Sequence, residues 1–309
     1  MRTVGLLILL LVSSPVLAKS KAESNSAVQF IDKSVIYYPQ TLGDHSLIEP
    51  RYDPAKWAEG LSLNYRISGA APGLVFSLYV YPLGRSDEAK AVLDAMADVE
   101  AGIRYYEQQQ TYAAVKFGSS VDFPVRAPRF TVVDGRNPVS ISLDSTAPVD
   151  VPASDAQTDG DELPEVVRAL MPPTITTGRR LAISFVSHDK ARRSLAYVFY
   201  RNLFLFKVRA TVPADEMGED VFNAAIDRAV QALVPAIEVH NFGTCGTIHV
   251  SVDKDTGNKE QDAENGALEL AAGMGRIQRE SCASSDAPDS KAGANTGQET
   301  IVFPPDTWN

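Results

Sequence analysis

Hydrophobic and polar residues alternate most regularly from Phe204 to Val212, where Phe204, Phe206, Val208, Ala210 and Val212 enclose Lys207, Arg209 and Thr211. A period of two is that of a strand with one face on a core. The segment before it, Leu195 to Tyr200, is apolar at both parities, as in a central strand covered on both sides. The two strands are joined at Arg201-Asn202. Pro213 has no N–H for a ladder and stops the second strand. Helical spacing then takes over at Val221, Phe222, Ala225, Ala229 and Leu233, with Asp215 and Glu216 placed early, where the helix dipole favours negative charge. The pattern therefore predicts a hairpin followed by an amphipathic helix.

The same succession occurs upstream. Leu61 to Ile67 alternates, Gly69, Pro72 and Gly73 supply turn chemistry, and Leu74 to Tyr81 alternates again. Pro82 follows, then a predicted helix over 87–110 with Val92, Leu93, Met96, Val99 and Ile103 on one side and Ser86 or Asp87 as its cap. Between the units, Ala113 to Phe117, Phe130 to Val133 and Val139 to Leu143 read as a meander, and a short helix at 163–171 and a strand at Arg180 to Val186 lead into the second hairpin. Ser34 to Tyr38 reads as a first strand. Residues 44–60, with two prolines and Trp57, read as a surface loop. Beyond Val234 the pattern predicts a strand at Thr247 to Val252 and a helix at Glu260 to Ser281. In that helix Gly266, Gly273 and Gly275 each cost about 1 kcal/mol relative to alanine but permit close approach to a neighbour.

These elements define an α+β fold, a mainly antiparallel sheet built from two hairpin-plus-helix units with a disulfide-tied C-terminal helix. The expected organisation is a signal peptide at 1–18, a flexible arm at 19–33 and the sheet domain at 34–240. A strand-helix extension at 241–282 and a disordered tail at 283–309 complete it. Residues 144–162 are acidic and nearly free of large apolar side chains, which predicts a mobile loop. As an architecture alone, without any shared motif, the arrangement resembles the PsbP-like fold of extrinsic photosystem proteins.

Charge and cysteine content place the chain in a compartment. The first residues, MRTVGLLILLLVSSPVLA, have one basic residue, a short apolar run and small residues before a cleavage point after Ala18, the signature of a secretory leader. Lys19 rather than cysteine follows, so no lipid is attached there. No later segment approaches the roughly 18 apolar residues of a membrane span. Removing the leader takes Arg2 from 29 basic residues and leaves all 39 acidic ones, moving the net charge from −10 to −11. Such a chain repels polyanions, which argues against nucleic acid as a partner. The two cysteines, Cys245 and Cys282, pair most simply in an oxidising periplasm or outside the cell. Closing their loop would stabilise the chain by roughly 4 kcal/mol on the chain-entropy model. The competing reading of Cys245, a nucleophile activated by His240 or His249, has no family motif around it.

Candidate chemistry is sparse. No nucleophile elbow, zinc helix, phosphate-binding glycine loop or paired C-x-x-C is present. Asp253, Asp255 and Glu264 occupy positions 1, 3 and 12 of a calcium-loop frame, but Gly257 and Asn258 stand in the reverse of the order the bend requires. Calcium is the one cofactor suggested, against a plain Asx turn. Tyrosine and arginine concentrate in the strands, and both types anchor interfaces. Tyr79, Tyr81, Arg201, Lys207 and Arg209 are the candidate binding residues, bordered by the stretch Tyr105 to Tyr112. The composition thus favours an exported, non-enzymatic protein that binds an envelope or extracellular protein. Paired carboxylates have no fixed spacing, so an exported hydrolase with a carboxylate-based site is the alternative.

Overall fold

The computed structural model describes residues 30–126, 140–143, 175–250, 259–284 and 293–304. The leader at 1–18, most of the arm, the acidic stretch 144–162, the run Phe130 to Val133 and the short helix at 163–171 lie outside these residues. In chain order come β1 (Lys33–Pro39), β2 (Thr41–Leu42), β3 (His45–Arg51), β4 (Leu61–Ile67), β5 (Val75–Pro82), α1 (Glu88–Gln108), β6 (Ala113–Phe117), β7 (Val121–Arg126) and β8 (Ser140–Leu143). There follow β9 (Ile175–Ser187), β10 (Lys190–Arg201), β11 (Phe204–Pro213), α2 (Glu219–Ala236), β12 (Glu238–Phe242), β13 (Thr247–Val250), α3 (Lys259–Glu280), β14 (Cys282–Ala283) and β15 (Thr296–Val302).

Among the described residues, nine strands form one sheet in the order β2-β3-β4-β5-β11-β10-β9-β6, with β7 also on β9. The two hairpins meet at its centre, where β5 and β11 pair antiparallel from Val75 opposite Thr211 to Pro82 opposite Phe204. A second sheet, β14-β12-β1-β15, and a short parallel pair, β13-β8, complete the architecture. The fold is thus α+β with a large antiparallel sheet, as the patterning implies.

The two faces of the large sheet are covered differently. Leu61, Leu63, Phe76, Leu78, Phe204, Phe206 and Val208 are sealed in one cluster with Phe222, Ile226, Val230 and Leu233 of α2 and Ile36 and Ile301 of the second sheet. The opposite face packs Leu181, Ile183, Ala196, Val198 and Leu205 against Val92, Met96, Val99 and Ile103 of α1. Asp87 caps α1, its carboxylate accepting from the Lys90 N–H at 2.8 Å. α2 starts later than the early acids suggest, at Gly218, with Glu219 and Asp220 in its first turn. Glu216 lies in the preceding turn and accepts from the Gly73 N–H at 2.8 Å, tying the second unit to the first hairpin.

The β10–β11 turn is Asn202-Leu203, both at positive φ (52° and 69°), the twist a two-residue hairpin needs. Leucine is an unusual occupant of that conformation. Its carbonyl accepts from the N–H groups of Leu83 and Gly84, each at 3.0 Å, which fixes the turn against the end of β5.

Two expectations are corrected. Residues 45–51, read as part of a surface loop, form β3, paired with β4 over most of its length. Pro50 is tolerated because β2 pairs only with its start, through His45 and Ser46, and an edge needs no N–H there. The tail read as disordered contributes β15, whose seven residues pair with the whole of β1. Its single fully buried residue, Ile301, fills the core beneath, and Phe303 just beyond packs edge-on to Trp57 at 5.5 Å.

Cys245 and Cys282 form the expected disulfide, Cα atoms 5.8 Å apart across 37 residues. Both are buried, so Cys245 is a structural half-cystine and not a nucleophile. A bidentate pair reinforces the tie: Arg85, just after β5, donates through Nε and Nη2 to the two oxygens of Glu280 at the end of α3, each at 2.8 Å. α3 also comes close to β13 where a side chain is missing. A Cβ on Gly273 would sit 2.7 Å from Cγ2 of Ile248.

Candidate functional site

The site follows from strand register. Residues directly opposite in an antiparallel pair share a face. Lys207 is opposite Tyr79, Leu205 opposite Tyr81 and Arg209 opposite Ser77, so Tyr79, Tyr81, Lys207 and Arg209 all lie on the face that carries α1. The helix lies over β10, flanked by β6, β9 and β11. On the β4–β5 part of this face the residues are Ser62, Asn64, Arg66, Ser77, Tyr79 and the exposed Val75, mostly polar and, apart from the buried Ser77, half-buried or exposed. Ser77 donates to Asn64 Oδ1 at 2.7 Å. An apolar half under α1 thus adjoins a mostly polar half that no described helix covers.

Lys207 and Arg209 stand at that boundary. The Lys207 ammonium is half-buried, and burial holds its pKa below the usual lysine range, with the neighbouring Arg209 charge acting in the same direction and Asp98 of α1 opposing. Arg209 lies 5.8 Å from the rings of both Tyr112 and Phe185, within range of attraction by the ring quadrupole. Its Nε donates to Ser194 Oγ over a long 3.4 Å. From Phe185 an aromatic row continues outward through Tyr112, Tyr106 and Tyr105, with centroid separations of 4.3, 5.4 and 5.8 Å. Tyr105 and Tyr106 are exposed, so the stretch Tyr105 to Tyr112 borders the same surface. Tyr81 packs beside α1, its hydroxyl pKa raised by burial and then by Asp98.

Arg201 does not belong to this group. It follows Leu195, Tyr197 and Phe199 in parity and so faces α2, opposite Phe204, and it is only 8% exposed. Its guanidinium stacks over the Phe206 ring at 4.3 Å and donates to the carbonyls of Val234, at 2.6 Å, and Ile237. It caps the C-terminal end of α2, where cations complement the exposed carbonyls. Burial pulls its pKa down to about 9, partly offset by Glu238. Reading Arg201 as a surface anchor is therefore corrected: a hairpin-end arginine points to either face according to parity, and here parity puts it inside.

Carboxylates in the described interior serve structure. Asp227 of α2 accepts from the Tyr197 hydroxyl at 2.5 Å and from Arg180 Nε at 2.9 Å, fastening the helix to β9 and β10. Glu280 is the partner of Arg85. Of the calcium candidates, Asp253 and Asp255 lie outside the described residues, and Glu264 falls in α3 with its side chain likewise outside them. Among the described residues no group of three His, Cys, Asp or Glu could hold a metal ion. Nor is any described helix long and apolar enough to cross a membrane.

Sequence patterning does not reveal Asp98, Phe185 and Ser77 as neighbours of the site. They come from three separate elements, α1, β9 and β5, brought together by the register of β5 on β11, β11 on β10 and β10 on β9 and by the packing of α1 across these strands. No protein-family model matches the chain, and no curated protein matches it.

Proposed function

We propose that this is an exported, non-enzymatic binding protein that holds another envelope or extracellular protein against the half-open sheet face beside α1. The observation that carries the reading is the half-buried pair Lys207 and Arg209 at the edge of a polar sheet surface, flanked by Tyr79, Tyr81 and the aromatic row. Tyrosine and arginine bury much area at low entropic cost and recur among interface anchors. The disulfide, with no described helix suited to a membrane, accords with export.

The test is a photo-crosslinking residue placed in living cells at Tyr79, and separately at the exposed Asp220 on the far side of the sheet. Expected is one discrete protein adduct, of reproducible mass and identity, from the Tyr79 position and none from Asp220. Equal labelling at both positions, or none at either, overturns the reading.

A further inference from the structure

We propose that Lys207 and Arg209 form a carboxylate clamp that takes an aspartate or glutamate side chain of the partner polypeptide, on the footing that the half-open face is the binding surface. The two cations lie two residues apart on one strand and project from the same face, so their Cα atoms are about 7 Å apart. That spacing suits one acidic group between them. Among the described residues the Lys207 side chain makes no hydrogen bond or ion pair, although it is half-buried. A partly desolvated cation is ordinarily paired. Arg209 is steadied from the sides by Tyr112 and Phe185. Of its five donors, Nε alone is used, on Ser194 Oγ at 3.4 Å. The rest of its planar fork remains for a carboxylate, the geometry guanidinium matches best.

The surroundings select the class of anion. The chain carries net charge −10, and Asp98 acts on both Lys207 and Tyr81. A polyanion or a dianionic phosphate meets that negative field with two or more charges, whereas a single carboxylate on an otherwise neutral segment meets it with one and is repelled least. Tyr79, opposite Lys207 and only partly buried, offers a flanking hydroxyl to the peptide that carries it.

The experiment follows the Arg209 Nε–H resonance of the full chain by NMR while titrating N-acetylglutamate amide, which has only its side-chain carboxylate. The controls are N-acetylglutamine amide, sodium acetate and inorganic phosphate. Expected is saturable binding of the glutamate compound, none of its glutamine counterpart, and at least tenfold weaker binding in Lys207→Met. Lys90→Met, an equal charge change on the exposed outer side of α1, should leave it unaltered. Acetate binding as well as capped glutamate would overturn the peptide source, and tighter binding of phosphate would overturn the carboxylate. No saturable shift with any probe overturns the clamp. Should the Tyr79 crosslink form undiminished in a Lys207→Met/Arg209→Met chain, the face binds a partner but the clamp is wrong. If the crosslink is also missing in the native chain, the binding surface itself fails.

Discussion

The two hairpin-plus-helix units share an order of elements but differ in what their helices cover. α2 lies on a largely apolar face, and the polar side chains beneath it are tied to it: Arg201 through Nη2 to helix-end carbonyls, although its buried Nε and Nη1 find no partner among the described residues, and Asp227 to Arg180 and Tyr197. α1 covers only part of the opposite face, and at its margin Lys207 lies half-buried without an ion-pair partner among the described residues. A sealed side has every reason to be intolerant of change. The α1 margin, polar and partly open, should tolerate change better.

That contrast can be broken first where it should be strongest. Phe206 is fully buried between α2 and the Arg201 guanidinium, and Phe206→Ala is expected to lose about 3–5 kcal/mol in urea denaturation. Tyr79→Ser, in the adjacent strand but on the other face, should lose less than about 1 kcal/mol. Comparable losses would mean that the α1 face is sealed as well. Next in size is Asp227→Ala, which strands the Tyr197 hydroxyl and the Arg180 guanidinium beneath α2. The cost of leaving such groups unpaired is about 1–3 kcal/mol. The double variant Asp227→Ala/Arg180→Met should recover part of it, and strict additivity would show that the pair does not couple.

How much of this was legible follows from range of interaction. The hairpins, the three long helices and the proline stops come from local periodicity, and the disulfide from having only two cysteines. Small residues in α3 announced a close approach, realised where Gly273 meets Ile248. β3 and β15 escape local patterning because each is defined by its partner rather than its own pattern. β15 reads TGQETIV, with one fully buried residue, and it is a strand because β1 lies beside it. In the site, parity alone separated Lys207 and Arg209 from Phe206, but placing Arg201 on the other face required the turn to fall at Asn202-Leu203. The gap beside α1 depends on which strands the helix crosses, and no local signal encodes that.

A smaller effect probes the sealed side through pH. Glu238 is held below its ordinary pKa, chiefly by the hydrogen bond with His240 at 3.2 Å and further by the charges of His240 and Arg201. A carboxylate depressed on folding adds stability that is present above its unfolded pKa, near 4.5, and is lost as pH falls through the folded value. The side chain is 43% exposed, so the contribution is well under about 1 kcal/mol. Glu238→Gln should therefore be slightly less stable than the native chain at pH 6, and the gap should close on going to pH 3. A gap that widened towards acid would reverse the sign.

The smallest change is expected at Lys207, and it separates the two faces most directly. Lys207→Met keeps the apolar stem that packs beside Tyr79 and removes only the ammonium. Charges about 7 Å apart repel by roughly 0.5–2.5 kcal/mol for effective dielectric constants between 80 and 20, and relief of that repulsion offsets the lost attraction to Asp98. The net result should be no loss, or a gain of up to about 0.5 kcal/mol that shrinks as salt is added. Arg201→Met, an equal loss of charge on the α2 side, opens the carbonyls of Val234 and Ile237 and should destabilise by about 1–3 kcal/mol at any ionic strength. If Lys207→Met instead lost as much as Arg201→Met, the ammonium would be part of the packing and the two faces would be alike in what they ask of their cations.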